Sequence, residues 1–221
     1  MCDSQSSATR RPAPRLPRAD RLGDVTWHRD GHNPRRRKLL AAALGIAAAR
    51  NAIASEAREA TGWVLPRLAA LPIELTNTDG RSQTLSKALA GRVTAVQLMF
   101  TGCSSTCPIQ GALFAELARQ LRTTDVQLLS ISIDALGDSL PALASWQARF
   151  GAHRAWAAAL PKIADVDSLA RFMRGSPARP GTHTAQVFVF DRQSRLCYRT
   201  ADAPAVSELQ SLLTRIANSD G

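Results

Sequence analysis

The strongest constraint on the fold is a strand, helix and strand pattern whose first turn carries two cysteines. An apolar run at residues 93–100 leads into Cys-Ser-Ser-Thr-Cys-Pro at residues 103–108, followed by apolar residues at helical spacing up to residue 121. A second apolar run covers residues 126–133. Strands joined by a helix of this length run parallel. The pattern therefore predicts two parallel strands, with both thiols at the turn into the connecting helix.

Further patterns extend this unit into an α/β domain. Two short runs with apolar residues flank Asp79-Gly80, a dipeptide that favours a tight hairpin turn. Helices are predicted at residues 140–150, 167–173 and 205–216, and further strands at residues 185–190 and 194–200. Since the last two strands turn back as a hairpin, the order predicts a thioredoxin-like three-layer α/β sandwich over residues 70–218, with an added N-terminal β-hairpin.

The N-terminal tail is rich in arginine, proline and serine and lacks apolar periodicity. Such a segment buries too little apolar surface to order itself, so residues 1–34 are predicted to be a disordered basic tail. Because this tail is long for a leader, a true start further in, at Val25, is an alternative.

Residues 35–54 have the features of an export signal. Three arginines and a lysine precede an apolar run at residues 39–49, and small residues follow up to Ala54. This run is about half of the roughly twenty residues that a spanning helix needs. The paired arginines predict a twin-arginine signal and a periplasmic protein, with an ordinary secretion signal or a short inner-membrane anchor as the alternatives. Residues 55–69 are predicted to be a helical or irregular lead-in to the domain.

The net charge of +10 is concentrated in the N-terminal part of the chain. Residues 1–54 contain 11 Lys and Arg against 4 Asp and Glu, whereas residues 55–221 contain 17 against 14. In the predicted domain the cations are scattered and no aromatic residues alternate with them. A nucleic-acid surface needs a concentrated basic patch with aromatic platforms, so no nucleic-acid partner is predicted.

The two cysteines of the motif have the chemistry of metal ligands or of a redox pair. Cys107 is predicted at the N-cap of the helix that Pro108 opens, where helix N–H groups and the macrodipole favour a thiolate. Three small residues let the loop fold back, so that Cys103 and Cys107 converge. Such a pair holds a soft ion such as Cu(I), closes into a reactive disulfide, or forms a plain structural bridge. Cys197 is interpreted as a small core residue.

One histidine and two aspartates are candidates for supporting roles. His183 precedes the strand predicted at residues 185–190, and in a thioredoxin-like fold the loop entering this strand faces the cysteine loop. His183 is therefore a candidate third ligand, the alternative being an ordinary surface histidine, while His153 is interpreted as solvated. Asp134 follows a predicted strand and is a candidate to orient a ligand. For Asp138, a cap of the following helix is the competing interpretation.

Three separate motifs together resemble the Sco/SenC family of copper-binding, thioredoxin-like cytochrome oxidase assembly proteins. They are residues 100–108, residues 129–134, and His183 ahead of residues 187–191. Their order and separation make the resemblance specific, and it covers roughly residues 70–218.

The resemblance implies that copper, as Cu(I) or Cu(II), is held by Cys103, Cys107 and His183. It implies an exported metallochaperone in the assembly of the copper A site of cytochrome c oxidase. The partner would be the oxidase's copper-bearing subunit or another copper or thiol protein, and metal delivery and reduction of the receiving cysteines are both open. A cell-envelope thiol-disulfide oxidoreductase that uses Cys103 and Cys107 is the alternative. A binding module in which the cysteines form only a structural bridge is the third interpretation.

Overall fold

The structure is a computed structural model that describes residues 60–121, 124–151, 153–175 and 184–219. The predicted tail and export signal, residues 1–54, lie outside the described residues. Among the residues that are described, no helix is long and apolar enough to cross a membrane.

In the described part of the chain, eight strands form one mixed sheet. They are β1 (Gly62–Ala69), β2 (Glu74–Asn77), β3 (Ser82–Thr84), β4 (Val93–Met99), β5 (Val126–Ser132), β6 (Trp156–Pro161), β7 (Phe188–Phe190) and β8 (Arg195–Arg199). Their spatial order is β1-β8-β7-β4-β5-β6-β2-β3. The central strands β4, β5 and β6 run parallel, and every other pairing is antiparallel.

Helices cover both faces of this sheet. They are α1 (Leu85–Leu89), α2 (Thr106–Gln120), α3 (Leu140–Ala148), α4 (Val166–Arg174) and α5 (Val206–Ser219), with one 3-10 turn at Ile163–Asp165. Buried side chains of α2, α3 and α5 pack on one face of the sheet, and those of α1 and α4 pack on the other. The predicted three-layer α/β sandwich is confirmed.

The central pair β4 and β5 explains where the functional edge of the sheet lies. All seven residues of each strand are buried, as expected for parallel strands that are covered on both faces. The two strands pair in register from Val93 and Val126 to Met99 and Ser132, so they end at the same edge. The loops after β4 and β5 are therefore neighbours, and these loops carry the cysteines and the two aspartates.

Two strands differ from the sequence-based expectation. The predicted helical or irregular lead-in at residues 55–69 is wrong over Gly62–Ala69, which forms the edge strand β1. Its Pro66 argues against a strand interior, but an edge strand tolerates a residue without an N–H. Strand β6 was not predicted, because its central residues are alanines, which carry little strand preference. The residues around Asp79-Gly80 form the antiparallel pair β2 and β3.

Candidate metal and thiol site

The two cysteines of the motif lie at the edge where β4 ends and α2 begins. Both side chains are buried, Cys103 at 8% exposure in the loop and Cys107 at 3% in the first turn of α2. Neither forms a disulfide, so the structure shows the reduced pair. The predicted N-cap position of Cys107 is wrong, because α2 begins at Thr106 and Ser105 takes the cap position. Pro108 is accommodated within the first turn, where an N–H has no intrahelical partner.

The first turn of α2 directs the Cys107 N–H at the sulfur of Cys103. The Cys107 N–H donates to Cys103 Sγ over 3.4 Å, and the Ser105 hydroxyl lies 3.8 Å from the same sulfur. Burial alone raises the pKa of the Cys103 thiol, but hydrogen bonds from Cys107 and Ser105 outweigh it and lower the pKa to about 7. At neutral pH, Cys103 is therefore present as comparable amounts of thiol and thiolate.

Cys107 has the opposite electrostatic environment. Burial is the largest cause that raises its pKa, and the hydrogen bond with Cys103 and the charges of Cys103 and Asp138 add to it, giving a value of about 12. The prediction that the helix terminus favours a thiolate at Cys107 is therefore wrong. The physical effect exists, but it acts on Cys103, because the amides of the first turn point backward along the chain to the loop.

Asp138 connects the cysteine loop to the neighbouring strand. Its carboxylate accepts the Thr101 N–H over 3.1 Å to each oxygen and the Thr101 hydroxyl over 2.5 Å. The Ser132 hydroxyl donates to the same carboxylate over 2.6 Å. The competing interpretation of Asp138 as a helix cap is wrong, since the Ser139 side chain caps α3 by accepting the Ala142 N–H.

Asp134, the other aspartate of this loop, folds onto its own turn. Its Oδ1 accepts the Gly137 N–H over 2.9 Å. A Cβ at Gly137 would lie only 2.4 Å from Asp134 Oδ2, so a larger residue there would displace the Asp134 carboxylate. The orienting role predicted for Asp134 stays a prediction. The contact between Asp138 and Thr101 was not predicted from the sequence, although polar residues follow both β4 and β5.

A small cavity of about 20 Å³ lies beside Cys107, large enough for one water-sized particle. Its polar lining comes from Cys107, Arg174 of α4 and Thr184, and the rest of its wall is mostly apolar. Arg174 and Thr184 are both buried. No sequence signal pointed to Arg174, because it reaches this edge from the opposite helical layer.

His183, the predicted third ligand, lies outside the described residues. Its neighbour Thr184 is described, and this residue lines the cavity that Cys107 also lines. Asp202 Oδ1 fixes the chain here by accepting the Ala185 N–H over 2.7 Å and the Thr184 hydroxyl over 3.2 Å. Within the described part of the chain, no three His, Cys, Asp or Glu residues group into a metal site. Cys197 is buried and its thiol donates to the Val189 carbonyl, as expected for a core residue.

Comparison with known proteins identifies relatives of this fold. A SCO1/SenC lipoprotein from Bacillus anthracis is 20% identical, with 70% of this chain and 99% of that chain covered and a TM-score of 0.61. Copper-bound ScoI of Bradyrhizobium japonicum is 21% identical, with coverages of 67% and 99% and a TM-score of 0.56. BsSco, a Sco protein of cytochrome c oxidase assembly with a disulfide switch, is 18% identical, with coverages of 69% and 95% and a TM-score of 0.60.

These likenesses establish the thioredoxin-like Sco fold, whereas the sequence itself establishes the family. No curated protein matches the sequence. The profile of the SCO1/SenC family matches residues 67–217, which is more than half of the chain. The chain therefore belongs to the SCO1/SenC family.

Proposed function

We propose that this protein is an exported copper-binding metallochaperone that acts in assembly of the copper A site of cytochrome c oxidase. Copper would be bound by the sulfurs of Cys103 and Cys107 and by an imidazole nitrogen of His183. The observation that carries the proposal is the convergence of two buried thiols at the sheet edge, with the Cys107 N–H on Cys103 Sγ. Family membership supports the proposal, and the Bradyrhizobium relative was solved with copper bound.

The chemistry of the donor set fits copper. Thiolates are soft ligands that select Cu(I), and imidazole suits copper in either oxidation state. The lowered pKa of Cys103, about 7, makes one thiolate available at neutral pH. The neutral thiol of Cys107 must lose its proton when the metal binds, so copper uptake would release protons.

The place of His183 in the chain supports its role as third ligand. Thr184, the next residue, is buried and lines the same cavity as Cys107. Two hydrogen bonds to Asp202 hold the chain at Thr184 and Ala185, next to His183 in the sequence.

The same proposal includes export of the protein to the periplasm. It also includes a copper-bearing oxidase subunit as the acceptor of the copper. The Bacillus anthracis relative is described as a lipoprotein, which is an exported and membrane-attached type of protein. The twin-arginine pattern at residues 35–37 supports export of a folded domain. Copper would pass by exchange of the Cys103 and Cys107 thiolates for thiolates of the acceptor, with the oxidation state of the metal unchanged.

A copper titration of the reduced protein tests the proposal. We expect one Cu(I) per chain in competition with a chromogenic chelator, and loss of this site in Cys103→Ser and Cys107→Ser. His183→Ala should weaken the affinity at least about tenfold, since even the loss of a residue that supports a ligand costs about 10–100-fold. His153→Ala is the matched control, because the His153 ring lies in a turn where it accepts the Ala155 N–H. Equal affinities of the two histidine variants would argue against the ligand set.

A thiol-disulfide oxidoreductase is the second candidate, favoured by the different pKa values of the two thiols. Cys103, with a pKa of about 7, has the character of an attacking thiol, and Cys107, at about 12, that of a buried partner. In this function Cys103 would attack a partner disulfide and expel one partner thiolate. Cys107 would then attack Cys103 Sγ, close the Cys103–Cys107 disulfide and release the second partner thiolate.

Trapping of partners separates the two functions. If the protein is an oxidoreductase, its Cys107→Ser variant should accumulate a mixed disulfide through Cys103. Its His183→Ala variant should keep thiol-exchange activity. A metallochaperone loses copper transfer in both variants. Stable partner adducts together with normal thiol exchange in His183→Ala would favour the oxidoreductase.

A further inference from the structure

Four hydrogen bonds converge on the buried carboxylate of Asp138, which is only 7% exposed. Thr101 supplies its N–H to both oxygens and its hydroxyl to Oδ1, and Ser132 supplies its hydroxyl to Oδ2. The Ser132 hydroxyl oxygen in turn accepts the Asp134 N–H, so its own proton points to Asp138.

These contacts fix one end of the cysteine loop. Thr101 lies two residues before Cys103, and Ser132 is the last residue of the neighbouring strand β5. The other end of the loop is held by α2, whose Cys107 N–H bonds to Cys103 Sγ. Cys103 therefore sits between two anchored points, and Asp138 supplies the anchor that is remote in sequence.

We propose that Asp138 is a positioning residue of the thiol pair, which sets the balance between dithiol and disulfide by anchoring Thr101 to β5. The proposal rests on the use of Cys103 and Cys107 in the proposed function. A disulfide forms only when the two Cβ atoms lie about 3.5–4.5 Å apart, so a freely moving loop meets this condition less often. Loosening the anchor therefore shifts the pair toward the dithiol.

The reaction that reports this balance is exchange with glutathione disulfide. The Cys103 thiolate attacks one glutathione sulfur, forms a mixed disulfide and expels one glutathione thiolate. Cys107 loses its proton to solvent and attacks Cys103 Sγ, which releases the second glutathione. The protein dithiol is oxidised by two electrons and glutathione disulfide is reduced to two glutathione thiols.

Two substitutions test the anchor by different routes. Asp138→Asn removes the charge and part of the acceptor capacity, whereas Thr101→Val removes one hydroxyl donor and leaves the charge in place. Thr101→Ser keeps the hydroxyl and serves as the conservative rescue. Asp125→Asn is the matched control, because Asp125 is an exposed carboxylate just before the opposite end of β5.

The measurement is the equilibrium constant for disulfide formation in the metal-free, full-length protein in glutathione buffers of defined ratio. We expect Asp138→Asn and Thr101→Val each to shift it toward the dithiol at least about threefold, or about 14 mV at 29.6 mV per tenfold. Thr101→Ser and Asp125→Asn should stay near the wild-type value. Circular dichroism at the same temperature establishes that each variant is folded.

The proposal requires both shifts. Wild-type constants in both variants overturn it, and so does a shift in Asp138→Asn alone, because charge rather than anchoring would then set the balance. A shift in Thr101→Val alone overturns the role of Asp138. If Asp138→Asn does not fold, the equilibrium constants of Thr101→Val and of the rescue variant Thr101→Ser decide whether the anchor sets the balance. Since no metal is present, failure of copper binding would leave this result intact, and the two proposals fail separately.

Discussion

The backbone N–H of Cys107 donates a hydrogen bond to the sulfur of Cys103 over 3.4 Å. This contact links the two cysteines across the start of α2, and together with the deeper burial of Cys107 it makes their thiols chemically unequal. It stabilises negative charge on Cys103, whereas Cys107 is buried beside the apolar wall of the cavity. Substitution of the Cys107 side chain leaves this N–H in place, so the reactivity of Cys103 can be tested separately.

Alkylation of the two thiols should have separate pH dependences. A lowered pKa means that the thiolate is present above that value, so Cys103 should gain reactivity with a midpoint near pH 7. Cys107, with a pKa of about 12, should stay unreactive through neutral pH in the folded protein. Rates of iodoacetamide labelling, resolved for each cysteine by peptide mass spectrometry, measure both values.

Cys107→Ser is the control for this experiment, because it keeps the donating N–H. Its Cys103 midpoint should stay below the usual cysteine value, because the backbone N–H and Ser105 remain, although the lowering contribution of the Cys107 side chain is lost. Equal midpoints for Cys103 and Cys107 in the wild-type protein would contradict the asymmetry.

The buried carboxylate of Asp191 should be a major determinant of stability. It is fully buried and accepts hydrogen bonds from Arg67 at 2.8 Å and from the Arg195 side chain at 2.9 Å. The Gln193 and Arg195 N–H groups also donate to it. Asp191→Asn removes the charge that holds two partly exposed guanidinium groups, so it should lower the free energy of unfolding by about 1–3 kcal/mol. Urea denaturation at pH 7 measures this loss.

The pH dependence of this loss follows from the direction of the pKa shift. Burial of Asp191 raises its pKa, but hydrogen bonds from Arg195 and Arg67 outweigh burial and leave the pKa below its usual value. The carboxylate therefore stabilises the fold fully above the unfolded pKa of about 4 and progressively less as the pH falls through the folded pKa. The difference between wild type and Asp191→Asn should shrink below pH 4.

Asp125→Asn provides the comparison for Asp191. Asp125 is about half exposed, and its ion pair with Arg192 is 3.5 Å long. Exposed pairs contribute about 1 kcal/mol or less, so this variant should unfold close to the wild type. Similar losses in Asp125→Asn and Asp191→Asn would contradict the structural account.

The inward face of α2 should contribute more to stability than its outward face. Phe114 is fully buried and packs edge-on against Trp156, with ring centroids 5.9 Å apart. Phe114→Ala should cost about 3–5 kcal/mol, since it leaves a cavity in the core. Ile109→Ala on the same helix removes a side chain that is 62% exposed and should change stability by no more than about 0.5 kcal/mol. Comparable losses in the two variants would show that the helix packs in another orientation.

The sequence predicted those parts of the fold whose patterns are strong and local. Strands β4 and β5 are mostly apolar runs, and the helical spacing after Pro108 is clear, so the cysteine loop was located correctly. Strand β6 was missed because alanine favours no strand, and β1 was missed because Pro66 marks a break in most other contexts. In both cases pairing with a neighbouring strand decides the structure.

The candidate site was predictable in its residue types but not in its electrostatics. The spacing of Cys103 and Cys107 indicated a thiol pair, yet which sulfur the helix amides face depends on where α2 begins. The helix begins at Thr106, two residues before the predicted Pro108, and the stabilised thiolate is therefore Cys103 rather than Cys107. The bond from Thr101 to Asp138 joins residues 37 apart in sequence, and only the parallel register of β4 and β5 brings them together.

X-ray absorption at the copper edge is the most direct test of copper binding at this site. In the protein loaded with one Cu(I), the account predicts scattering from two sulfur atoms and one imidazole. The imidazole signal should vanish in His183→Ala and persist in His153→Ala. Copper without sulfur neighbours, or a spectrum that is unchanged in His183→Ala, would contradict the account.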